Sequence, residues 1–504
     1  MAAGWPGGYT TQAPYIPNFT ASQSPAHLAL TAAIAGAHWA PDREALTVID
    51  LGCGRGGTLL ALAAANPGWN VVGLDYNPAH VAEAREIAAE AGLTNARFLE
   101  LDLIGLDEAA AAAALPEADV ITLHGMWTWV DDAVREGILT VLRSRVKPGG
   151  LVMLGYNALP GWAGDMALAR LLKEVARHGA GPSEARAATA FAAARSLLAA
   201  GATALRHSMV LQDAAARDSA ASFGWARYLA HEFMPEPWRP AFPLDVAAEM
   251  ARAKLDYVGQ VKLWRNFPEL WMTPEQRQAV AALPPGVDPG LVQDLFGARQ
   301  PLREDVFIRG YRPAAPEALG SIRLALARRL PQGVVQIDTG ISKARLPPEV
   351  AEKVLAALAE KPQRLDELMP LAEGSGLAAA ELATFLVSGH AAVPVWRENA
   401  SGTAQARARK FNMLAMERWG GELQEGGYAI GLTVPRLGGP LIMSAEEGAI
   451  ALILAQAGKA APEPAAVARA LIAAGLPVAA AEAEKVVAGV MRAMLGAWKG
   501  LGLV

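Results

Sequence analysis

The residues best suited to chemistry cluster at the end of one apolar run. Asp50, Gly52, Cys53, Gly54 and Gly56 stand in the order Val48-Ile49-Asp50-Leu51-Gly52-Cys53-Gly54-Arg55-Gly56. Glycines this close together let the backbone turn through dihedrals closed to other residues, and let it approach a ligand with no Cβ in the way. A glycine pattern alone serves many nucleotides, and the acids around it are what discriminate. Asp75 closes the next apolar run, where a carboxylate can accept from both hydroxyls of a ribose. Asp102 closes the third, where it can take an adenine amino group. Asp50, at the turn itself, would repel a pyrophosphate and suits a ligand carrying an ammonium group. Tyr76, Leu103 and His124, each at or beside a strand end, complete the expected contacts.

A second set of residues is aromatic. Tyr9, Tyr15, Trp127, Trp129 and Tyr156, together with Asn157, are the expected lining of a channel for a second substrate. Aromatic faces tolerate cations, and a dry channel lowers the pKa of an entering amine. No strong general base is visible, which suits an amine acceptor better than an alcohol. At least one of Trp127 and Trp129 reads equally as ordinary packing. His231 and Glu232 fail as a metal pair because no further ligand sits four residues on, and they read as helix surface. The single cysteine, Cys53, excludes a disulfide framework and a cysteine-held metal; its thiol is given no chemistry, and no metal is expected.

These residues have to be held by strand ends, and the pattern supplies strands. Runs at Thr47–Leu51, Asn70–Asp75, Ala96–Asp102, Asp119–Gly125 and Leu151–Tyr156 alternate with helical stretches such as Pro78–Ala91 and Asp132–Arg145. That alternation predicts an α/β fold, a Rossmann-like parallel sheet covered on both faces. Strand character at Tyr257–Trp264 and Asp305–Arg309 brings the sheet to seven strands, and the helical text from about 160 to 245 reads as an insertion. Residues 1–25 form an irregular arm and 26–39 a helix, so a first domain spans 1–312. Residues 318–504 form a second, mainly helical domain. Helices near 348–360, 364–372 and 378–388, followed by a strand at Ala392–Trp396, give a winged-helix-like order. A β segment at 428–443 precedes a helix at 445–457, which Ser444 and Glu447 open as a capping box.

Composition narrows the setting. At 504 residues, 52% of them hydrophobic and 19% charged, the chain has ample material for packed domains and is not largely disordered. A net charge of −5 without a basic block argues against a nucleic-acid partner. The N-terminus lacks a signal-peptide pattern and no stretch is long and apolar enough for a membrane span, so a cytoplasmic protein is expected.

Residues 47–157, including the turn Lys147-Pro148-Gly149-Gly150, resemble the class I, seven-stranded S-adenosylmethionine (SAM)-dependent methyltransferases. The resemblance implies SAM as cofactor, held by Asp50, Gly52, Cys53, Gly54, Gly56, Asp75, Tyr76, Asp102, Leu103 and His124. The segments Tyr9–Pro25, His124–Val130, Gly155–Trp162 and Tyr228–Phe233 are similar to a narrower group, the bacterial methyltransferases with a methyltransferase regulatory domain. That group includes lysine methyltransferases acting on outer-membrane proteins. It implies in-line transfer to a protein lysine, such as one of a surface protein before export, with the helical insertion and residues 318–504 holding the substrate. A chain ending near residue 315 is then expected to keep SAM and lose protein methylation. The competing readings are a small-molecule N- or O-methyltransferase and a non-catalytic SAM-binding regulator.

Overall fold

The computed structural model describes residues 15–216, 229–297, 301–458, 462–473 and 482–504. The apolar runs become parallel strands β1 (Thr47–Leu51), β2 (Asn70–Asp75), β3 (Ala96–Glu100), β4 (Ala118–His124) and β5 (Val146–Asn157). Strands β6 (Leu255–Gln260) and β7 (Leu302–Arg309) finish a seven-stranded sheet in the order β3-β2-β1-β4-β5-β7-β6. Strand β7 is antiparallel to both neighbours. Its N-terminal end therefore lies at the edge where the other strands have their C-terminal ends, which is where ligands bind in open α/β sheets. The register sets His124 beside Gly155 on β5, and Gly155 beside Glu304 on β7.

Helices α1 (Pro25–Ile34), α2 (Gly57–Ala65), α3 (Pro78–Ala91), α4 (Glu108–Ala114) and α5 (Asp132–Arg145) precede or connect these strands. Local chemistry fixes their ends. Ser24 caps α1 by accepting from the His27 amide, Asn77 caps α3 ahead of Pro78, and Gly92 ends α3 at a φ of 72°. The insertion is built from α6 (Met166–Arg177), α7 (Ser183–Ala199), α8 (Met209–Ala216) and a helical stretch at 229–233. It has its own apolar core, in which Trp162, Phe233 and Trp238 meet ring to ring at 5.4–5.6 Å. The next helix, α9 (Pro243–Arg252), buries Val246 and Met250 in the core under the sheet, so the insertion ends before it. Helices α10 (Pro274–Ala281) and α11 (Pro289–Phe296) then lead to β7.

In the C-terminal region β8 (Arg323–Leu326) is followed by the hairpin β9 (Gln336–Asp338) and β10 (Lys343–Arg345). Next come α12 (Pro348–Glu360), β11 (Gln363–Arg364), α13 (Leu365–Leu368), α14 (Ala379–Ser388) and β12 (Ala392–Val395). Strand β8 lies between β11 and β12 in a three-stranded sheet, and the chain after β12 continues into a helix. That helix, α15 (Gly402–Glu425), has no counterpart in the sequence reading. Its buried Ala404, Ala408, Phe411, Ala415, Trp419 and Leu423 repeat every three or four residues, a stripe diluted by small side chains. Hairpin β13 (Ala429–Val434) and β14 (Gly439–Ser444) follows, then α16 (Ala445–Ala457), opened by the Ser444/Glu447 capping box, α17 (Pro464–Ala473) and α18 (Ala483–Leu501).

Part of the C-terminal region forms an apolar cluster around Leu324, Val354 and Leu382, which Leu30 and Leu263 join, and the rest shares a core with α2. Every residue of α2 is buried, because one side packs on the sheet and the other on α15 and the β13–β14 hairpin. Leu59, Leu60 and Leu62 share one continuous core with Phe411, Trp419, Ile430, Leu432 and Trp498. The arm joins it through Phe19, whose ring meets Trp419 edge-on at 5.6 Å. Among the described residues no helix is long and apolar enough to cross a membrane.

Candidate active site

The glycine turn leaves β1 with its amides pointed at the end of β2. Gly52 and Cys53 donate to the Leu74 carbonyl, each at 2.8 Å, and the Gly54 amide donates to Asp75 Oδ2 at 2.8 Å. The other Asp75 oxygen accepts from the Asn77 amide at 2.8 Å. Gly54 adopts a φ of 54°, and a Cβ there would point into open space on the cavity wall. Gly56, at φ 80°, packs so closely that a Cβ would stand 2.9 Å from the Phe98 ring. These two positions show why side chains are excluded from the turn, the one by the cavity and the other by the packing behind it.

A single cavity of about 330 Å³ runs along the carboxyl edge of the sheet. Of the residues the sequence reading assigns to the cofactor, Gly52, Gly54, Asp75, Tyr76, Asp102, Leu103 and His124 line it. Asp102 is exposed and its Oδ1 accepts from the Ile104 amide at 2.9 Å, while Leu103 is buried. Asp50, Cys53 and Gly56 are not on its wall. Asp50 is buried one layer back, accepting from Thr122 Oγ1 at 2.7 Å and Gln23 Nε2 at 3.1 Å. Burial pushes its carboxyl up to about 7, against the pull of those hydrogen bonds. The Cys53 Sγ fills the space a Cβ on Gly73 would enter, and burial beside Asp75 and Asp50 pushes the thiol well up, which disfavours the thiolate.

His124 and Glu304 face each other across β5, with Nε2 and Oε1 3.4 Å apart. Gly155 lies between them, and a Cβ there would stand 2.9 Å from His124 Cδ2. Burial alone would lower the imidazole, but the Glu304 carboxylate prevails and holds it above its ordinary range. The same contact, with a hydrogen bond from Ser22, keeps Glu304 below the usual carboxylate range despite burial. The sequence reading had His124 but not its partner, which lies on a strand some 180 residues away.

The far end of the cavity is lined by Tyr15, Trp129, Asn157, Trp162, His231 and Glu232. Asn157 donates from Nδ2 to Glu232 Oε1 at 2.7 Å, and Tyr15 meets the His231 ring edge-on at 5.1 Å. Burial pushes the Glu232 carboxyl up to about 7, only partly offset by Asn157. His231 and Glu232 are thus not on a helix surface: the insertion turns them inward. Trp162 was also not among the expected lining residues. Two expected residues stand elsewhere. Trp127 is packed in the core under the sheet beneath the Arg135 guanidinium, the ordinary role for one tryptophan of the pair. Tyr156 is fully buried and its hydroxyl donates to Asp305 Oδ2 at 2.7 Å, because strand alternation turns it to the face opposite Asn157. Tyr9 lies outside the described residues. Among the described residues no group of three metal-ligating side chains occurs.

Residues 49–152 match the family model of a methyltransferase domain, and residues 226–309 match that of a predicted methyltransferase regulatory domain. With the sheet order and the cavity above, these matches make the chain a SAM-dependent methyltransferase of the class I type. Its cofactor is S-adenosyl-L-methionine. An uncharacterized protein of Synechocystis, sll1526, is 27% identical over 377 residues, 74% of this chain and 73% of that one. The structure of PKMT2 from Rickettsia typhi in complex with AdoHcy covers 95% of this chain and 98% of its own, with a TM-score of 0.65 and 19% identity. That likeness extends the shared fold to the insertion and C-terminal region. A tRNA (guanine-N(7)-)-methyltransferase of Shewanella piezotolerans is 31% identical over only 119 residues, 23% of this chain.

Proposed function

We propose that this chain methylates the side-chain amine of lysine in a protein acceptor. The observation that carries the reading is Glu232, a carboxylate largely withdrawn from water at the aromatic end of the cofactor cavity and oriented by Asn157. SAM, when bound, supplies a methyl group already activated on a sulfonium. The protein's task is to place a neutral amine in line with it. A lysine in water is neutral in about one molecule in 2,500 at pH 7, which costs roughly 4.6 kcal/mol. Glu232 accepts the ammonium proton, while the walls of Tyr15, Trp129 and Trp162 exclude water and favour the uncharged amine. An acid poised near neutral pH suits that transfer.

At the other end, Asp75 and Tyr76 are assigned to the ribose, Asp102 and Leu103 to the adenine, and the Gly52–Gly54 backbone to the methionine portion. His124, whose charged form the Glu304 carboxylate favours, faces the methionine carboxylate in this assignment. Asp50, buried one layer behind the cavity wall and held by Thr122 and Gln23, is given no direct contact with the cofactor. The sequence resemblance to lysine methyltransferases with a regulatory domain supports the acceptor. The test is to incubate the full chain with cell lysate and radiolabelled SAM, then hydrolyse the labelled protein. Label in methylated lysines is expected; label confined to small molecules overturns the reading.

A further inference from the structure

His80 is 1% exposed and touches both ends of the cavity without lining it. Its Nε2 accepts from the Tyr15 backbone amide at 3.1 Å, so the ring proton is on Nδ1, which faces Asp75 Oδ1 at 3.3 Å. The Asn77 side chain lies 3.5 Å from the same Nε2. On its other side Tyr15 is held by Arg55 of the glycine turn, whose Nη1 donates to the Tyr15 carbonyl at 3.4 Å. The amide and carbonyl of Tyr15, an arm residue on the cavity wall, are thus both fastened to cofactor-edge residues.

We propose that His80 is a positioning residue that ties the placement of Tyr15 on the acceptor side to Asp75 on the cofactor side, so that the two halves of the site form together. The proposal rests on the assignment of Asp75 to the ribose. A ribose seated on Asp75 takes water from the carboxylate and fixes it. The imidazole, enclosed on all sides, cannot turn without breaking its contact, and the orientation of Nε2 sets the Tyr15 amide. By linkage, whatever strengthens Tyr15 docking when the cofactor binds must strengthen cofactor binding equally when Tyr15 docks.

Hydrogen exchange of the peptide carrying Tyr15, read by mass spectrometry on the full chain with and without S-adenosylhomocysteine, tests the link. In the wild type the ligand is expected to slow exchange of that amide about tenfold, the worth of one secured hydrogen bond. His80→Phe abolishes the slowing. His80→Asn, which keeps a donor for Asp75 but is too short to reach the arm, also abolishes it, and His80→Gln, whose amide oxygen extends further, restores part. Linkage caps the matching loss at the same factor, so calorimetry on the three variants is expected to give S-adenosylhomocysteine affinities weakened by no more than about tenfold. Equal slowing of Tyr15 exchange in all four proteins overturns the proposal. So does an affinity lost as completely as in Asp75→Ala, which would make His80 part of the cofactor pocket. Asp75→Ala with wild-type affinity would instead overturn the ribose assignment, while loss of Tyr15 protection in unliganded His80→Phe would still register the tether.

Discussion

Glu232→Gln isolates the proton acceptor with little change in shape. The glutamine carbonyl can still accept from Asn157 Nδ2, so the wall of the cavity is preserved and only the ionisable oxygen is lost. Without it the acceptor ammonium must deprotonate into solvent, and the general-base contribution, about 10²–10⁴-fold, disappears from kcat at pH 7. The deficit should shrink as pH approaches 10, where solvent itself supplies neutral amine. Stability moves the other way. The Glu232 carboxyl titrates near 4.5 when unfolded and about 7 when folded, so the native state binds the extra proton in between. Stability conferred by the neutral acid is fully present below 4.5 and is lost as pH rises through 7. Above pH 7 the variant should therefore be more stable than the wild type by up to about 3 kcal/mol, and the difference should vanish toward pH 4.5. Methylation rates across pH, paired with denaturant melts at pH 5 and 8, read both effects. A variant with wild-type rate and an unchanged pH profile refutes the base, and equal stability at both pH values refutes the buried acid.

Asp75→Ala removes charge-assisted hydrogen bonds worth about 1.5–3 kcal/mol, so SAM binding by calorimetry should weaken roughly ten- to a hundred-fold. Gly155→Ala puts a methyl 2.9 Å from the His124 ring and should push it off Glu304. The His124 imidazole, followed by NMR titration, should then ionise at lower pH than in the wild type, since burial is left unopposed. A chain ending near residue 315 should be insoluble, because it strips α15 and the hairpin from α2; a soluble truncation that binds SAM would contradict the shared core.

The cofactor edge was legible in the sequence because its signals are local. Asp50 through Gly56 is one turn, β1 and β2 have the predicted limits, and so has α3, whose ends are marked by the Asn77 cap, Pro78 at its first position and the left-handed Gly92. The acceptor end was less legible because it is assembled from distant segments. Tyr156 and Asn157 are neighbours in sequence, yet strand alternation sends one to Asp305 and the other to the cavity. Glu232 gave no warning, since a lone acid on a helix normally faces water, and only the fold of the insertion turns it inward. The packing of residues 318–504 on α2 was hidden for a similar reason. Helix α2 reads as an ordinary apolar helix against a sheet, and only Leu59 to Ala65 being buried without exception reveals a second layer over it. Helix α15 was missed because alanines and a glycine interrupt its stripe.

The burial of α2 has a consequence for how the chain is made. The glycine turn opens directly into α2, and α2 finds its outer cover in Phe411, Trp419, Ile430, Leu432 and Trp498. At roughly ten residues per second, the ribosome delivers those side chains about 35 to 45 seconds after the turn itself has emerged. Until then the nascent sheet carries a naked apolar helix, a surface that chaperones hold and that neighbouring nascent chains can capture. The glycine turn thus keeps an uncovered apolar neighbour until the C-terminal residues emerge, and a chain stalled after the sheet but short of residue 411 is expected to leave α2 exposed.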